Sequence, residues 1–552
     1  MPLDTVFGIF VTDDLKLVSH RVVRNGIHHR HAITPLDPKP DETVTLHVQT
    51  PAKKGFEHIA AYYTTDGSLP AGSQGVATNG NALHFAQSHL EWDTLIWDYL
   101  VHWQTTIPGQ PNCTMVNYVI SAWSDGGDEV YADTPGVDEP VQLATMKHYK
   151  SIPADTKLVE TGHFFGEEVF NYHVDDDEPP AWAADAVIYQ ILVDRFSPGE
   201  GKMWKQTDNL GGICGGTLWG VCEKLDYLAD LGVNCLWLSP TWVSPTYHGY
   251  DVTDYDRVEP RYGGDEALRA VISGAHARGI RVLLDMVCNH LSDQHPIFVT
   301  AENNTESAFR KWFFFDERVP NGYKSFFGVS SMPRLNLNYP PARDWMVANA
   351  VRWLRDFDID GYRLDVADGP GPNFWSYFRK ACREVKPDCL IFGEIVDTPQ
   401  RLRTYAGRLD GVLDFPLGEA MRHTFALDAL SETQLNAFVA TNEAYYPAGL
   451  VRPTFLDNHD MNRFSMIAQN DPARLKRAAA FHMQLPGPKI IYYGTEIGIK
   501  QARSLDEGGY HEIRPLMAWD ETQDQDLLAY YKEQIRTRKS RNEKIVKEGG
   551  GS

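Results

Sequence analysis

Arg363 and Asp365 stand two residues apart in the stretch Phe357-Asp358-Ile359-Asp360-Gly361-Tyr362-Arg363-Leu364-Asp365-Val366-Ala367-Asp368, where apolar and polar residues alternate. Such alternation predicts a short buried strand that ends in a carboxylate. Side chains at i and i+2 of a strand share a face, so a guanidinium at 363 keeps Asp365 ionised and oriented, as a nucleophilic carboxylate requires. A purely structural Arg–Asp pair accounts for this stretch equally well. Other stretches tip the balance. Asp285, Asn289 and His290 follow an apolar run at 280–285, Glu394 ends one at 389–394, and His459-Asp460 follow one at 454–457. Four carboxylates with an arginine and two histidines at strand ends point to one cleft with acid–base or nucleophilic chemistry.

A repeated strand–helix unit must hold these residues. Eight short strand candidates lie at 187–191, 233–238, 280–285, 361–365, 389–394, 411–414, 454–457 and 489–493, and helical runs such as 218–231 and 266–278 fall between them. The pattern predicts an α/β fold, a (β/α)8 TIM barrel over 183–520, whose strand C-terminal ends converge on one cleft. The connection 291–345 after strand 3 is too long for a simple turn and is expected to build part of the active-site face. Residues 1–150 carry short alternating runs (44–48, 118–123) broken by turns at 65–68 and 124–127, which predicts an N-terminal β-sandwich. Trp92, Trp97, Trp103, Tyr62 and Tyr63 are candidates for a sugar-stacking platform there, with most expected in the core. The charged, proline-bearing segment Asp175-Asp176-Asp177-Glu178-Pro179-Pro180 marks 151–182 as a linker, and 521–552 is expected to be a C-terminal helix and tail.

The chain has 552 residues, 43% hydrophobic and 12% aromatic, enough for a large core. Its formal charge of −22 argues against nucleic acid and anionic membrane as partners and suits a neutral substrate. Seven cysteines without CxxC spacing predict free thiols in a reducing compartment. Met1-Pro2-Leu3-Asp4 lacks the basic and apolar regions of a signal peptide, and no run reaches membrane-spanning length, so a cytoplasmic protein is expected.

The stretches Asp285-Met286-Val287-Cys288-Asn289-His290, Gly361-Tyr362-Arg363-Leu364-Asp365, Phe392-Gly393-Glu394-Ile395-Val396 and Phe455-Leu456-Asp457-Asn458-His459-Asp460 closely resemble the signature regions of the α-amylase superfamily of glycoside hydrolases. Tyr189-Gln190, Asp194-Arg195-Phe196, His248-Gly249-Tyr250-Asp251 and Asp254-Tyr255 extend the resemblance, which runs in the family's order from Ala186 to Trp519. Met332-Pro333-Arg334-Leu335-Asn336 and the front β-domain are similar to the neopullulanase, cyclomaltodextrinase and maltogenic-amylase branch. The resemblance implies a retaining hydrolase of α-1,4-glucosidic bonds in maltooligosaccharides, cyclodextrins, pullulan or starch. It makes Asp365 the nucleophile, Glu394 the general acid/base and Asp460 the carboxylate that fixes sugar hydroxyls. Arg363 would hold the nucleophile. His290, His459, His248 and Asn458 would assist in binding the sugar, and Tyr250 would stack on its ring. A retaining pair of carboxyls is expected roughly 5–5.5 Å apart.

Departures bear on substrate. Ala367-Asp368 replaces the Lys-His that endo-amylases carry, and Val396 stands where the branch commonly has Trp. Only 33 residues follow Trp519, so the family's C-terminal β-domain is expected to be absent or cut short. An α-glucanotransferase is the alternative enzyme, and a carbohydrate-binding protein on an inactive barrel is the non-enzymatic one. The second is disfavoured because all three carboxylates are present. No cofactor is required. A structural calcium is compatible with Asn289, for which Asp293 and Asp316 are candidate partners, but a loop-capping Asn fits as well and no metal is assigned. The expected partner is an α-glucan oligosaccharide, and relatives suggest a homodimer.

Overall fold

The computed structural model describes residues 20, 24, 26–132, 169–205, 208–317, 319 and 321–549. Eight parallel strands build the catalytic half: β1 (Val187–Ile191), β2 (Cys235–Leu238), β3 (Arg281–Val287), β4 (Gly361–Asp365), β5 (Leu390–Gly393), β6 (Gly411–Val412), β7 (Thr454–Phe455) and β8 (Lys489–Tyr492). Each pairs with its numerical neighbour from β1 to β6, and β1 and β7 both pair with β8. The barrel closes between β6 and β7, where Val412 N–H donates to Val451 O (3.0 Å) and Asp414 N–H to Pro453 O (3.1 Å). All eight predicted strands are present, and helices cover the outside.

Strand periodicity divides the apolar side chains. Ile188, Cys235, Trp237, Leu283, Leu390, Phe392, Phe455 and Ile490 fill the barrel interior, while Val187, Tyr189, Leu236, Val282, Leu284, Tyr362, Leu364 and Ile391 pack under the helices. The next inward positions toward the strand C-termini are then Gln190, Asp285, Arg363, Asp365 and Glu394. Register places Asp285 beside Arg363 and Arg363 beside Phe392. Gly361 (φ 139°) starts β4 where a Cβ would come 1.9 Å from Leu390 O, so only glycine lets β4 and β5 pair there.

In front lies an antiparallel sandwich. One sheet contains Ile33–Thr34, Val44–Pro51, Asp98–Ile107 and Ala86–Asp93; the other contains Val130–Tyr131, Thr114–Trp123, His58–Thr64 and Asn81–His84. Val44, Leu46, Val48, Ile59, Tyr118 and Ile120 form its core. Tyr62, Tyr63 and Trp103 are buried, whereas Trp92 (44% exposed) and Trp97 (68%) stand on the surface in edge contact, ring centroids 5.4 Å apart.

The linker expected at 151–182 needs correction. Phe170–Val174 is a fully buried strand that pairs with Thr114–Trp123 and completes the second sheet. Asp175, placed in that linker, is 2% exposed because His173 and Arg379 bind its carboxylate at 2.7 and 2.9 Å. Residues 133–168, with the first part of that linker, lie outside the described residues, as do the chain start and residues 550–552. The insertion 291–345 holds the helix Pro296–Asn303 and a series of β-bridges, among them His290 with Arg334 and Ser325 with Pro333. The helix Gln525–Gly549 packs Leu527, Leu528, Tyr531 and Ile535 into the barrel core, and buried Arg538 donates to Leu485 O (2.6 Å), Gly487 O (2.7 Å) and Ala184 O (3.1 Å). All seven cysteines are free, and no helix among the described residues is long and apolar enough to cross a membrane.

Candidate active site

Arg363 is the centre of the inward-facing layer. It is fully buried; Nη1 donates to Asp285 Oδ1 (2.6 Å) and Asp365 Oδ1 (2.8 Å), and Nη2 makes an ion pair with Glu394 Oε2 at 2.8 Å, off the hydrogen-bond axis. One guanidinium therefore touches three carboxylates. Asp285 is a structural member of this set: its Oδ2 also accepts from Trp237 Nε1 and Tyr250 OH, both at 2.9 Å, and it has no exposure. Asp365 and Glu394 instead line a cleft. Every hydrogen bond and ion pair of Asp365 falls on Oδ1 and every one of the Glu394 carboxylate falls on Oε2, which leaves Oδ2 and Oε1 for chemistry.

Val366, next to Asp365, has φ 43°, a left-handed conformation that costs a β-branched residue about 1–3 kcal/mol. The strained turn aims the Val366 N–H at Glu394 Oε2 (3.2 Å). Ala367 N–H then donates to Glu394 O (2.8 Å), so the loop after β4 is seated on the end of β5. Asp368 follows and lines the cleft, as does Val396.

Electrostatics separate the three cleft carboxylates. Burial pushes Glu394 up, the charge of Asp460 adds to this, and Arg363, His459 and the Val366 N–H oppose it. Burial also raises Asp365, against Arg363 and with Glu394, Asp285 and Asp460. These two cannot both be comfortably ionised, and the proton belongs on Glu394, because Asp365 holds the true hydrogen bond from Arg363. Burial alone would raise Asp460, but His459, Arg514 and Arg363 hold it well below the usual carboxylate range.

The expected sugar-binding residues divide into two layers. His248, Tyr250, His290 and Asp460 line the cleft. Burial lowers His248 and His290 to about 3, so both are neutral imidazoles at neutral pH. His290 Nε2 faces Tyr250 O (3.1 Å), its Nδ1 faces Asn289 Nδ2 (3.1 Å), and its ring stacks on Phe326 (4.9 Å). Both of its nitrogens are thus engaged within the protein. His459, Arg363 and Asn458 sit behind the cleft wall. Gln190 Nε2 donates to His459 Nδ1 (2.7 Å), leaving the proton on Nε2, which faces Tyr250 OH (2.6 Å) and Asp460 Oδ2 (3.0 Å). Asn458 Oδ1 accepts from Asp460 N–H (2.8 Å). His459 and Asn458 orient Asp460 and Tyr250.

Sequence reasoning missed several cleft residues. Arg514 donates from Nη2 to Asp460 Oδ1 (2.7 Å) and to Tyr510 OH (2.9 Å), and from Nε to His459 O (2.8 Å). Phe326 and Phe327 from the insertion form another wall, with Phe327 at φ 44°. Neither pair lies on a strand end, so no periodic signal marked them. Asn289, weighed for calcium, gives its amide to His290, and its Oδ1 lies where a Cβ on Gly369 would be 2.0 Å away. Among the described residues, the cluster with three His or carboxylate ligand atoms close together is Glu57, His58 and Asp125 on the sandwich, remote in sequence from Asn289.

The model of the alpha-amylase family, described as "Alpha amylase, catalytic domain", matches residues 190–546. "Alpha-amylase 2" of Dictyoglomus thermophilum is 38% identical over 371 residues, 66% of this chain and 65% of that protein. The "Intracellular maltogenic amylase" of Bacillus subtilis is 34% identical over 71% of this chain and 68% of that protein. The chain thus spans about two thirds of the length of these relatives. Among solved structures, a "Cyclomaltodextrinase" superposes with a TM-score of 0.62 at 26% identity, covering 93% of this chain and 84% of that one. A cyclic α-maltosyl-(1→6)-maltose hydrolase from Arthrobacter globiformis gives 0.60 at 29% identity over 65% and 83%.

Proposed function

We propose a reaction for this protein from one premise: the chain belongs to the alpha-amylase family. The protein is a retaining glycoside hydrolase that cleaves α-1,4-glucosidic bonds in maltooligosaccharides, cyclodextrins, pullulan or starch. Asp365 Oδ2 attacks the anomeric carbon while Glu394 Oε1 gives its proton to the departing glycosidic oxygen. Glu394, now a carboxylate, takes a proton from water, and the resulting hydroxide character attacks the same carbon and releases Asp365. Asp460, held ionised by His459 and Arg514, binds two sugar hydroxyls. Neutral His248 and His290 face the ring, and Tyr250 stacks on it.

The observation that carries this reading is the single guanidinium of Arg363 on both Asp365 and Glu394. It fits the close carboxyl pair of a retaining site, in contrast to the roughly 6.5–9.5 Å of an inverting one. No metal step is assigned: the Asn289 amide is committed to His290, and we assign it to positioning that ring. The relatives named intracellular and the charge of −22 support a cytoplasmic setting and a neutral glucan substrate.

The test compares maltotriose with α-maltosyl fluoride, whose leaving group needs little protonation. Asp365→Asn should abolish turnover of both, and Glu394→Gln should lose about 10²–10⁴-fold on maltotriose while keeping much of the rate of the first-turnover fluoride release, the second step still needing Glu394 as base. An Asp365→Asn variant that releases fluoride as fast as the parent would refute the assignment.

A further inference from the structure

The strand Phe170–Val174 has one edge paired with Thr114–Trp123, and its other edge faces the barrel helix Pro372–Val385. Asn373, the second residue of that helix, meets this edge as a peptide group would. Its Oδ1 accepts from Asn171 N–H (2.9 Å), its Nδ2 donates to Val169 O (2.8 Å), and its own carbonyl accepts from Asn171 Nδ2 (3.0 Å). Both asparagines are buried, at 2% and 5% exposure. The short connection 366–371 joins this helix to the nucleophile strand. Trp375, two positions beyond Asn373 on the same helical turn, donates from Nε1 to Ala367 O (2.6 Å), and the neighbouring Val366 N–H reaches Glu394 Oε2. From the sandwich edge to the acid/base carboxylate, each link is a hydrogen bond or a peptide unit.

We propose that Asn171 and Asn373 are positioning residues: through this amide pair the front sandwich fixes the seat of the strained loop that hydrogen-bonds Glu394. The inference rests on the glycosidase reading above. A backbone N–H aimed at a carboxylate favours its ionised form, and misplacing the loop loosens both that bond and the aim of Oε1. The other groups facing Glu394, namely Arg363, Asp365, Asp460 and His459, are untouched by changes at the seam. Tyr377, one turn further along the same helix, donates to Asn117 Oδ1 (2.8 Å) and serves as the control, since it holds the seam without touching the helix start.

The experiment measures kcat and KM on maltotriose and on α-maltosyl fluoride across pH for full-length Asn373→Ala, Asn171→Ala and Tyr377→Phe, with melting temperatures alongside. Asn373→Ala is expected to lower kcat on maltotriose about tenfold, change KM little, and leave the first-turnover fluoride release within about twofold. The basic limb of its profile, where Glu394 loses its proton, should move up by about half a pH unit. Asn171→Ala, which removes one hydrogen bond, should show the same pattern more weakly, and it decides the matter if Asn373→Ala does not fold. Tyr377→Phe should lower only the melting temperature. Equal losses on both substrates, an unmoved basic limb, or the same shift in Tyr377→Phe would overturn the proposal. Failure of the parent protein to hydrolyse any of these glucosides would instead overturn the function itself.

Discussion

Arg363→Lys keeps the positive charge and removes the fork that joins Asp285, Asp365 and Glu394. A lysine ammonium is a point charge on a flexible stem and cannot hold three carboxylates in these directions. Of the present contacts, the 2.8 Å bond to Asp365 is the one that keeps the nucleophile ionised. A charge-assisted hydrogen bond contributes roughly 1.5–3 kcal/mol. At 1.36 kcal/mol per unit, its loss should raise the apparent pKa of Asp365 by about 1–2 units. The nucleophile reacts as the carboxylate, so activity falls on the acid side, and this limb should move upward by that amount. The measurement is kcat/KM on α-maltosyl fluoride from pH 4 to 8, where the Glu394 proton matters least. At neutral pH the rate should fall by about 10²-fold or more, since aim is lost as well as charge. A variant that folds with an unmoved acid limb would refute the role given to Arg363, whatever its rate.

Three further outcomes follow from particular side chains. His248 and His290 are buried with pKa near 3, against an unfolded value near 6.5, so unfolding at pH 5 takes up protons. Their contribution is complete above 6.5 and is lost as pH falls, by about 1.4 kcal/mol per histidine per pH unit; urea unfolding should show a clear loss between pH 6.5 and 5, and equal stability at both would contradict neutral burial. Arg538→Ala leaves the carbonyls of Leu485 and Ala184 without their donor, while Gly487 O keeps Lys489 Nζ, and denaturation should report a loss of about 3 kcal/mol with kcat unchanged. A Trp92→Ala, Trp97→Ala double variant should migrate faster than the parent in starch-containing native gels if the exposed pair stacks on glucan; identical mobilities would remove that role.

The barrel and the gathering of its cleft carboxylates were legible because both follow from short-range patterns. Strand alternation put Asp365 two residues beyond Arg363 and Glu394 two beyond Phe392, and a parallel barrel gathers such ends into one place. What escaped was side-chain chemistry whose partner is distant in the chain. Asp175 looked like part of a linker beside two further aspartates, yet Arg379 lies 204 residues away and buries it. The strand at 170–174 was masked by that charged neighbourhood. Arg514, Tyr510, Phe326 and Phe327 sit on connections, where no period announces which face they show. The sequence placed His459 and Asn458 at the end of a strand beside Asp460, but the layer they occupy, behind the cleft and not on it, depends on Gln190 and Tyr250 from other strands.

The late strand of the sandwich also dictates how the chain can be assembled and recombined. As synthesis proceeds, the first 132 residues emerge with one sheet lacking Phe170–Val174, and that strand in turn keeps a bare edge until Asn373 arrives some 200 residues later. The sandwich edge is therefore completed only once the barrel helix is made. A truncation at residue 150 would leave an orphaned strand on the barrel, a hazard for edge-to-edge aggregation. Transplanting the sandwich onto another barrel calls for a junction after Asp177 and an asparagine at the second position of the recipient's fourth helix.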